Sequence, residues 1–500
     1  MNIVSSLKKV SDYIWEIPQS FRSDMRVPAR LFASEKLLGA IGKDRSLEQL
    51  VNTATLPGVE RYAMAMPDIH EGYGFPIGGV VATRAEDGII SPGGVGYDIN
   101  CGVRLIRSEA EVSDVQPKLE ELATQMQRDV PSGLGRGGPL VLSEERLDQV
   151  MRKGVAWMLE QGYGEQDDDT YCEAKGALPD ADPAFVSSRA KKRGRDQLGT
   201  IGSGNHFAEV ERVDEVFDEE AAKALGLFKS QIVLLVHCGS RGLGHQVATD
   251  YIRQFMPKLS GWGIVLPDRE LVGAPFKTRD GQEYYRAMNA AANFAFANRH
   301  FIMHNIRGAW QKVFGDAFGG LALVYDVAHN MAKVEHHLTR TFADDTRTHA
   351  DSQRKSASSQ RKSAFIVHRK GATRAFGPGN KELPEKYRAI GQPVLIPGSM
   401  GTASFVLVGT EKAEELSFAT TCHGAGRMMS RTQASKQIPY DDLLRTMRAQ
   451  GIVVRAGSRR GLVEEAPEAY KDVEEVVRVV HEVGIAKRVV RLKPMAEVKG

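Results

Sequence analysis

Residues 91–102 read SPGGVGYDINCG, and the rest of the chain is organised around this stretch. Four of its twelve residues are glycines, which accept positive φ and let the backbone approach a phosphate or a metal closely. It also carries a carboxylate at Asp98 and a thiol at Cys101, which together could bind one cation. Apolar runs at 77–83 and 103–107 predict a strand on either side, so the stretch is predicted to be a loop between strands. Taken alone, the pattern fits a surface turn with a chance cysteine equally well.

Composition places the chain among globular proteins. It has 500 residues, of which 42% are hydrophobic, and 66 basic residues stand against 63 acidic ones. With a net charge of +3, any nucleic-acid contact must use clustered rather than excess basic residues. Four scattered cysteines are no disulfide framework and predict a reducing, cytoplasmic setting. Because no apolar run reaches about 18 residues, we expect no membrane span and no signal peptide.

Apolar runs and helical periodicity predict an α+β protein without regular βαβ alternation. Further strands are predicted at 13–18 (a strand or turn), 232–236, 321–327, 365–368, 394–396 and 404–408. Helical stretches are predicted at 30–54, 115–160 with a glycine-rich break at 132–138, 245–256, 284–314 and 464–483. The histidines of the long helix, His300 and His304, are interpreted as structural because no acid accompanies them.

Several polar segments are predicted to face solvent. A helix after Asn330 would expose His336 and His337, and the acidic run 165–169 would be a solvated loop. Residues 341–363 are rich in serine and charge, and QRKSA begins twice, at 353 and 360, so we expect a mobile polar insertion. The basic run 187–196 fits a solvated helix face slightly better than a contact with RNA.

Metal-type residues recur beside glycine-rich turns or at the ends of apolar strands. This group comprises Asp98, Cys101, His206, His237, His329 and His423. Without His423, the remaining three histidines, one cysteine and one aspartate exceed what a single tetrahedral site needs. They could bind two ions if the thiolate bridges the ions. Ligand softness favours zinc, and two metals about 4 Å apart would suit phosphoryl transfer. The remaining glycine turns could bind phosphates, although no P-loop is present.

Seven motifs occur in one fixed order: SPGGVGYDINCGVRL, GSGNHF, HCGSRGLGH, AHN, HRKGATRAF, PGSMGTASFV and CHGAGR. Together they resemble the RtcB family of GTP-dependent RNA ligases, and the similarity runs from residue 66 to the last residues of the chain. The resemblance implies one large domain, 1–500, with antiparallel sheets around a dinuclear metal cleft and helices at the periphery. It also implies a cytoplasmic, monomeric enzyme that acts on RNA, and leaves open whether an archease-like activator protein is needed.

The implied reaction joins an RNA 3′-phosphate or 2′,3′-cyclic phosphate end to a 5′-hydroxyl end, in tRNA splicing or RNA repair. By motif match, His423 attacks GTP and carries GMP. One manganese ion would be held by Asp98, Cys101 and His206, and the other by Cys101, His237 and His329. Manganese replaces the zinc expected from ligand softness, with zinc as an inhibitor.

The resemblance also carries over a nucleotide site and an RNA site. Glu209 would read guanine, and Lys499 would contact the base. The full set implied for GTP is Asn205, His206, Phe207, Ala208, Glu209, His329, Asn330, Pro397, Gly398, Ser399, Met400, Ser404, His423, Gly424, Ala425, Gly426 and Lys499. RNA or the reacting phosphate would contact Arg193, Arg241, Lys370 and Arg427. Asp68 also matches the family, with a role near the 5′-hydroxyl.

Two other functions remain open at this point. A metal-dependent phosphoesterase would open cyclic phosphates without needing His423, Glu209 or Lys499, and the presence of all three favours the ligase. An RNA-binding subunit without catalysis would tolerate loss of the metal ligands, and none of the five is replaced. Cys238 and Cys422 adjoin assigned histidines and are interpreted as structural.

Overall fold

The computed structural model describes residues 3–133, 137–338 and 362–500. Helices and strands are mixed along these segments, in agreement with the α+β prediction. The strands are β1 (Lys8–Ser11), β2 (Ile14–Ile17), β3 (Ala29–Phe32), β4 (Val59–His70), β5 (Ile77–Arg84), β6 (Ile89–Ile90), β7 (Gly102–Glu111), β8 (Phe207–Val216), β9 (Gln231–Cys238), β10 (Ala274–Pro275), β11 (Ala322–Ala328), β12 (Asn330–Leu338), β13 (Lys362–Lys370), β14 (Ala372–Arg374), β15 (Pro393–Ile396), β16 (Ser404–Gly409), β17 (Thr420–Cys422), β18 (Val453–Ala456) and β19 (Ala486–Lys499).

The α-helices lie mainly around these strands. They are α1 (Glu35–Ile41), α2 (Ser46–Thr53), α3 (Val112–Val115), α4 (Leu119–Asp129), α5 (Glu144–Lys153), α6 (Val155–Glu160), α7 (Ser188–Gly194), α8 (Glu219–Leu225), α9 (Arg241–Phe255), α10 (Arg279–Phe314), α11 (Glu411–Ser417), α12 (Arg431–Gln437), α13 (Tyr440–Ala449), α14 (Arg459–Glu464) and α15 (Val473–Val483). None of the helices in the described segments is both long and apolar enough to cross a membrane.

Two large sheets dominate the fold. One has the strand order β1-β2-β3-β4-β5-β13-β12, and the other the order β11-β7-β9-β8-β19-β16-β15 with β18 paired to β19. The pairings are antiparallel, as predicted, except for the parallel pairs β3 with β4 and β18 with β19. Two short pairs, β6 with β10 and β14 with β17, complete the sheets of the described segments.

The long helix α10 forms the centre of the main core. Its first turn is capped by the Thr278 hydroxyl, which accepts a hydrogen bond from the Gly281 N–H, and Gly315 follows its end at φ +59°. Its alanine-rich middle is buried and packs against α4, α5 and α9. At the same level the buried Arg299 pairs with Asp326 of β11 and donates to the Asn100 carbonyl at 2.7 Å. Through Arg299, the helix therefore holds the backbone of the predicted metal loop.

Most of the predicted strands, the opening one included, are confirmed within a few residues, and so is the long helix. The Gly-rich stretch 91–102 does connect two strands, β6 and β7. His300 is buried, with its Nδ1 3.1 Å from the Arg104 guanidinium, which agrees with a structural role.

Several other predictions were wrong. The stretch 30–54 contains the helices α1 and α2 as predicted, but it begins with β3. Helix α9 begins at Arg241 rather than near His245, and the C-terminal segment contains the unpredicted β19. His337 lies in a strand, not a helix, and is buried between Glu335 and Glu414. Asp168 is also buried, because it forms a bidentate ion pair with Arg307. The predicted insertion 341–363 lies outside the described residues except for its last two positions, which belong to β13.

Candidate active site

Four neighbouring strands bring the predicted metal ligands to one edge of a sheet. In the order β11-β7-β9-β8, Ala328 stands opposite Gly102, and Gly102 stands opposite Cys238. His237 stands opposite Phe207 in the next pair. The residues beside these positions therefore converge although they are far apart in sequence. They are Cys101, His206, His237 and His329.

Cys101 lies between two of the histidines. Its Sγ atom is 3.2 Å from His237 Nε2 and 3.5 Å from His206 Nε2. Asp98 Oδ2 lies 2.8 Å from the same His206 nitrogen. One ligand atom each from Asp98, Cys101 and His206 lie within 4.8 Å of one another, so a single cation could contact all three.

Beyond the Cys101 thiol, as seen from His206, lie His237 and His329. His237 Nδ1 is 2.9 Å from the Asn205 carbonyl, which can only accept, so Nδ1 carries the proton and Nε2 faces Cys101 with its lone pair. The His237 and His329 rings are 5.7 Å apart. Within the described segments, neither ring nitrogen of His329 has a hydrogen-bond partner although both are buried. Such an imidazole fits a metal ligand better than a packed core residue.

Burial and neighbouring charges shift the pKa values of the predicted metal ligands. Burial opposes ionisation of Asp98, but neighbouring His206 lowers the pKa of this carboxyl to about 2. Burial and the charge of Asp98 raise the pKa of the Cys101 thiol to about 12. Burial lowers the pKa of His237 and of His329 well below the usual range, so both rings are neutral at pH 7, as metal binding requires.

Hydrogen bonds around the loop hold these side chains in place. The Asp98 carbonyl accepts from the Cys101 N–H and the Asn330 amide, both at 3.0 Å. Its carboxylate accepts from the Ser240 N–H at 3.0 Å. Asn100 adopts φ +52°, a conformation costly for most residues, and Arg299 fixes its carbonyl. The loop is thus positioned before any ion binds.

Cys238 contacts the edge of the His206 ring that faces away from Cys101. Its Sγ atom is 3.7 Å from His206 Nδ1, and it accepts a hydrogen bond from the Asn298 amide. The thiol therefore orients the imidazole so that Nε2 points toward Asp98 and Cys101. This geometry agrees with the interpretation of Cys238 as a structural residue.

His423 follows β17 and lies beside the same group. Its ring centroid is 5.3 Å from that of His329, and its Nδ1 is 2.6 Å from Asp68 Oδ2. The same carboxylate oxygen accepts the backbone N–H groups of His423 and Gly424. Burial opposes ionisation of Asp68, but His423 outweighs it and lowers the pKa of the carboxyl. Because a carboxylate only accepts, Nδ1 of His423 donates to Asp68, so the neutral tautomer of this ring has its lone pair on Nε2.

Asp98, Cys101, His237, His329 and His423 line one cleft with a volume of about 1310 Å³. Many of the residues predicted for the nucleotide lie on its wall. They are Asn205, Phe207, His329, Asn330, Pro397, Gly398, Ser399, Met400, His423, Gly424, Ala425, Gly426 and Lys499. His206, Ala208, Glu209 and Ser404 do not line it directly, and the Ser404 hydroxyl accepts a hydrogen bond from the Gly398 N–H behind the wall.

Glu209 and Lys499 lie on the paired strands β8 and β19. Register pairs Glu209 with Glu497 and Phe207 with Lys499. The Lys499 ammonium is 3.0 Å from Glu497 Oε1 and 5.3 Å from the centre of the Phe207 ring, so it is not a frayed terminal lysine. Burial and the charge of Glu497 raise the pKa of Glu209 well above its usual value.

The four basic residues predicted for RNA or phosphate have different surroundings. Lys370 lines the cleft, donates to the Tyr73 carbonyl, and has its pKa lowered to about 7 by burial. Arg193 is exposed on α7. Arg241 donates to Thr200 Oγ1 at 3.0 Å, and Arg427 donates to the Glu465 carboxylate and the Tyr470 hydroxyl. The donors of Arg241 and Arg427 are thus engaged by the protein itself.

Other residues on the cleft wall were not predicted. Tyr73, Tyr97, Arg431, Glu465, Tyr470 and Lys471 all line it. Tyr97 directly precedes Asp98 in the quoted stretch, so an aromatic residue beside a metal loop was an available signal. Tyr470 and Glu465 carried no such signal, because they enter the cleft through the folding of the C-terminal segment.

Nearly the whole chain is similar to known proteins of one family. The profile of the protein family described as "tRNA-splicing ligase RtcB" matches residues 49–500. A tRNA-splicing ligase RtcB of Pyrobaculum aerophilum is 50% identical over 496 residues, which cover 99% of each chain. The protein of the same name from Archaeoglobus fulgidus is 49% identical over the full length of both. An RNA-splicing ligase RtcB homolog 1 of Entamoeba histolytica is 43% identical, covering 97% of this chain and 91% of the relative.

Proposed function

Because the chain belongs to the RtcB family of tRNA-splicing ligases, we propose that it is a GTP- and manganese-dependent RNA ligase. It would join an RNA 3′-phosphate or 2′,3′-cyclic phosphate end to a 5′-hydroxyl end, with tRNA exon halves or broken RNAs as substrates. The observation that carries this proposal is the His423–Asp68 pair, 2.6 Å apart, beside His237, His329 and Cys101 of one cleft. The cytoplasmic location, the monomeric state and the archease-like partner remain predictions.

His423 supplies the nucleophile in this proposal. Asp68 holds the proton of Nδ1, so the lone pair of Nε2 can attack the α-phosphorus of GTP as the bond to pyrophosphate breaks. GMP then passes from His423 to an oxygen of the RNA 3′-phosphate. The 5′-hydroxyl oxygen finally attacks that phosphorus, loses its proton and expels GMP.

The donor set fits two divalent ions. Asp98, Cys101 and His206 would hold one, and Cys101, His237 and His329 the other, since Cys101 lies between the two groups. When bound, the ions would neutralise the phosphates and stabilise negative charge on the transferred phosphoryl group. The neutral His237 and His329 rings are ready to bind, whereas Cys101 and His206 must each first lose a proton.

Replacing the shared thiol is expected to remove both ions. Cys101→Ala should lower bound manganese from about two ions per chain to less than one, since each group of ligands loses a member. Manganese retained after equilibrium dialysis measures the effect without relying on activity. The matched control is Cys172→Ser, a buried thiol in the Arg104 network, which should keep two ions. Two ions retained by Cys101→Ala would contradict the shared-ligand arrangement.

Glu209 is expected to set the preference for guanine. Once ionised, its carboxylate could accept two guanine N–H groups that adenine does not offer, so Glu209→Ala should reduce the preference for GTP over ATP by on the order of 100-fold. The measurement is the rate of covalent labelling with each α-labelled nucleotide. Glu220→Ala, an exposed glutamate of α8, serves as the control. Unchanged selectivity would remove Glu209 from the base site.

Incubation with α-labelled GTP and manganese, followed by denaturation, tests the proposed function. Label that stays on the chain, is lost in acid and persists in alkali would identify a histidine phosphoramidate. Absence of label, in protein shown to hold two metals and supplied with an archease, would contradict the ligase. A metal-dependent phosphoesterase or an RNA-binding subunit would then explain the cleft better.

A further inference from the structure

Three aromatic rings form a column along the wall of the cleft. The rings of Tyr97 and His245 are stacked, 4.8 Å apart with an angle of 24° between their planes. Tyr73 packs against Tyr97 with its ring tilted by 59° and the two ring centroids 5.3 Å apart. Tyr73 and Tyr97 are half-buried and line the cleft, whereas His245 is exposed at the end of the column. None of these three residues has a place in the reaction described above.

The middle ring of the column belongs to the metal loop. Tyr97 directly precedes Asp98, a proposed metal ligand, and both residues line the cleft. His245 lies in α9, which follows the strand that carries His237. A group stacked on the column would therefore lie beside the phosphate of an RNA end rather than at Glu209, where guanine is proposed to bind.

Cationic side chains flank the column on both sides. The Lys370 ammonium is 5.9 Å from the centre of the Tyr73 ring. Arg193 is exposed on α7, which packs against α9, and donates to Gln246, the neighbour of His245, at 3.1 Å. Proteins that bind single-stranded nucleic acid combine a basic groove with aromatic rings on which bases stack. Packing alone would not require an aromatic ring at an exposed helix position.

From this arrangement we propose that Tyr73, Tyr97 and His245 form a stacking platform for the terminal base of the RNA strand that carries the 3′-phosphate. The base would add the next layer on His245, while Arg193 and Lys370 neutralise the adjoining phosphates. This inference rests on the proposed ligase function, because it assumes that the reacting phosphate lies at the metal loop. Neutral imidazole suffices for stacking, and burial together with Arg193 lowers the pKa of His245.

Removing the exposed ring tests the platform. His245→Ala should weaken binding of a single-stranded RNA with a 3′-phosphate by about tenfold, the usual loss for one stacked base. His245→Phe should restore the affinity, because it keeps a stacking ring without a titratable group. Arg253→Ala, an exposed residue of the same helix, is the control for nonspecific charge and folding effects. All variants should form the GMP adduct at the wild-type rate, since that step uses no RNA.

An RNA without its terminal base gives the second arm. If the base stacks on His245, an abasic 3′-terminal nucleotide should weaken wild-type binding about as much as His245→Ala does. The two changes together should cost no more than either alone. The platform would be overturned if His245→Ala binds the RNA as tightly as the wild type does. It would also be overturned if the substitution weakens binding of the abasic RNA as much as it weakens binding of the intact RNA. If His245→Ala is instead non-additive with removal of the terminal base of the 5′-hydroxyl strand, the platform does not bind the 3′-phosphate end. Failure of the wild-type protein to form an adduct would overturn the ligase proposal separately.

Discussion

His423→Ala is expected to form no covalent GMP adduct while it still binds two manganese ions. The variant loses the Nε2 lone pair, and the two neighbouring histidines on the cleft wall, His237 and His329, are proposed to bind metal instead. Denaturing gels of protein incubated with α-labelled GTP measure the adduct, and equilibrium dialysis measures the metal. An adduct formed by the variant would place the nucleophile elsewhere.

The controls separate chemistry from folding. His423→Ala leaves the buried Asp68 with only backbone donors, so the variant could lose stability as well as its nucleophile. His423→Gln restores a side-chain donor for Asp68 without a nucleophilic nitrogen, and should give the same absence of label in a fold as stable as the wild type. His336→Ala changes an exposed histidine and should label normally. Loss of label in that control would mean that the assay reports damage rather than chemistry.

The candidate site residues could be identified from the sequence, but their proximity in the fold could not. Cys101, His237 and His329 each stand at the end of an apolar strand, a local pattern that needs no knowledge of the fold. Their convergence depends on the order β11-β7-β9-β8, which pairs strands distant in sequence and is invisible to local periodicity. Only the resemblance to a family supplied that proximity.

The failure at β12 has a different physical cause. Lys333, Glu335 and His337 alternate along this strand and are all buried, because Glu173, Arg369 and Glu414 neutralise them. Patterns read from sequence assume that buried faces are apolar, whereas here the buried face is charged. His337 was therefore placed on the surface. Asp168 was misplaced for the same reason, since its partner Arg307 lies on another element.

The C-terminal segment shows a third limit. Strand β19 pairs with both β8 and β16, and thereby brings Lys499 against Phe207. Its sequence, AKRVVRLKPMAEVK, contains a proline and many charges, so its composition does not favour a central strand. The pairing shifts register next to Pro494, which accommodates the residue that lacks an N–H donor. Tertiary pairing decided this element, and with it part of the candidate nucleotide site.

Asp68→Asn is expected to slow adduct formation by about 10²- to 10⁴-fold, with little change in GTP affinity, by analogy with loss of the aspartate that orients a catalytic histidine. The amide keeps an oxygen that can accept from His423 but removes the charge. As Nε2 bonds to phosphorus, the ring becomes cationic, and an ionised Asp68 stabilises it at a distance of 2.6 Å. The wild type keeps this charge at neutral pH, because the pKa of Asp68 is lowered.

Separate measurement of binding and chemistry decides whether Asp68 acts through charge. Single-turnover labelling at saturating GTP gives the rate of adduct formation, and its dependence on GTP concentration gives the affinity. A purely structural role would weaken GTP binding and thermal stability along with the rate, whereas a positioning role lowers the rate alone. Asp87→Asn, which changes an exposed carboxylate paired with Arg84, should leave both unchanged. A normal rate in Asp68→Asn would show that His423 holds its reactive tautomer without the charge, and its orientation would then depend on the backbone of the glycine-rich turn.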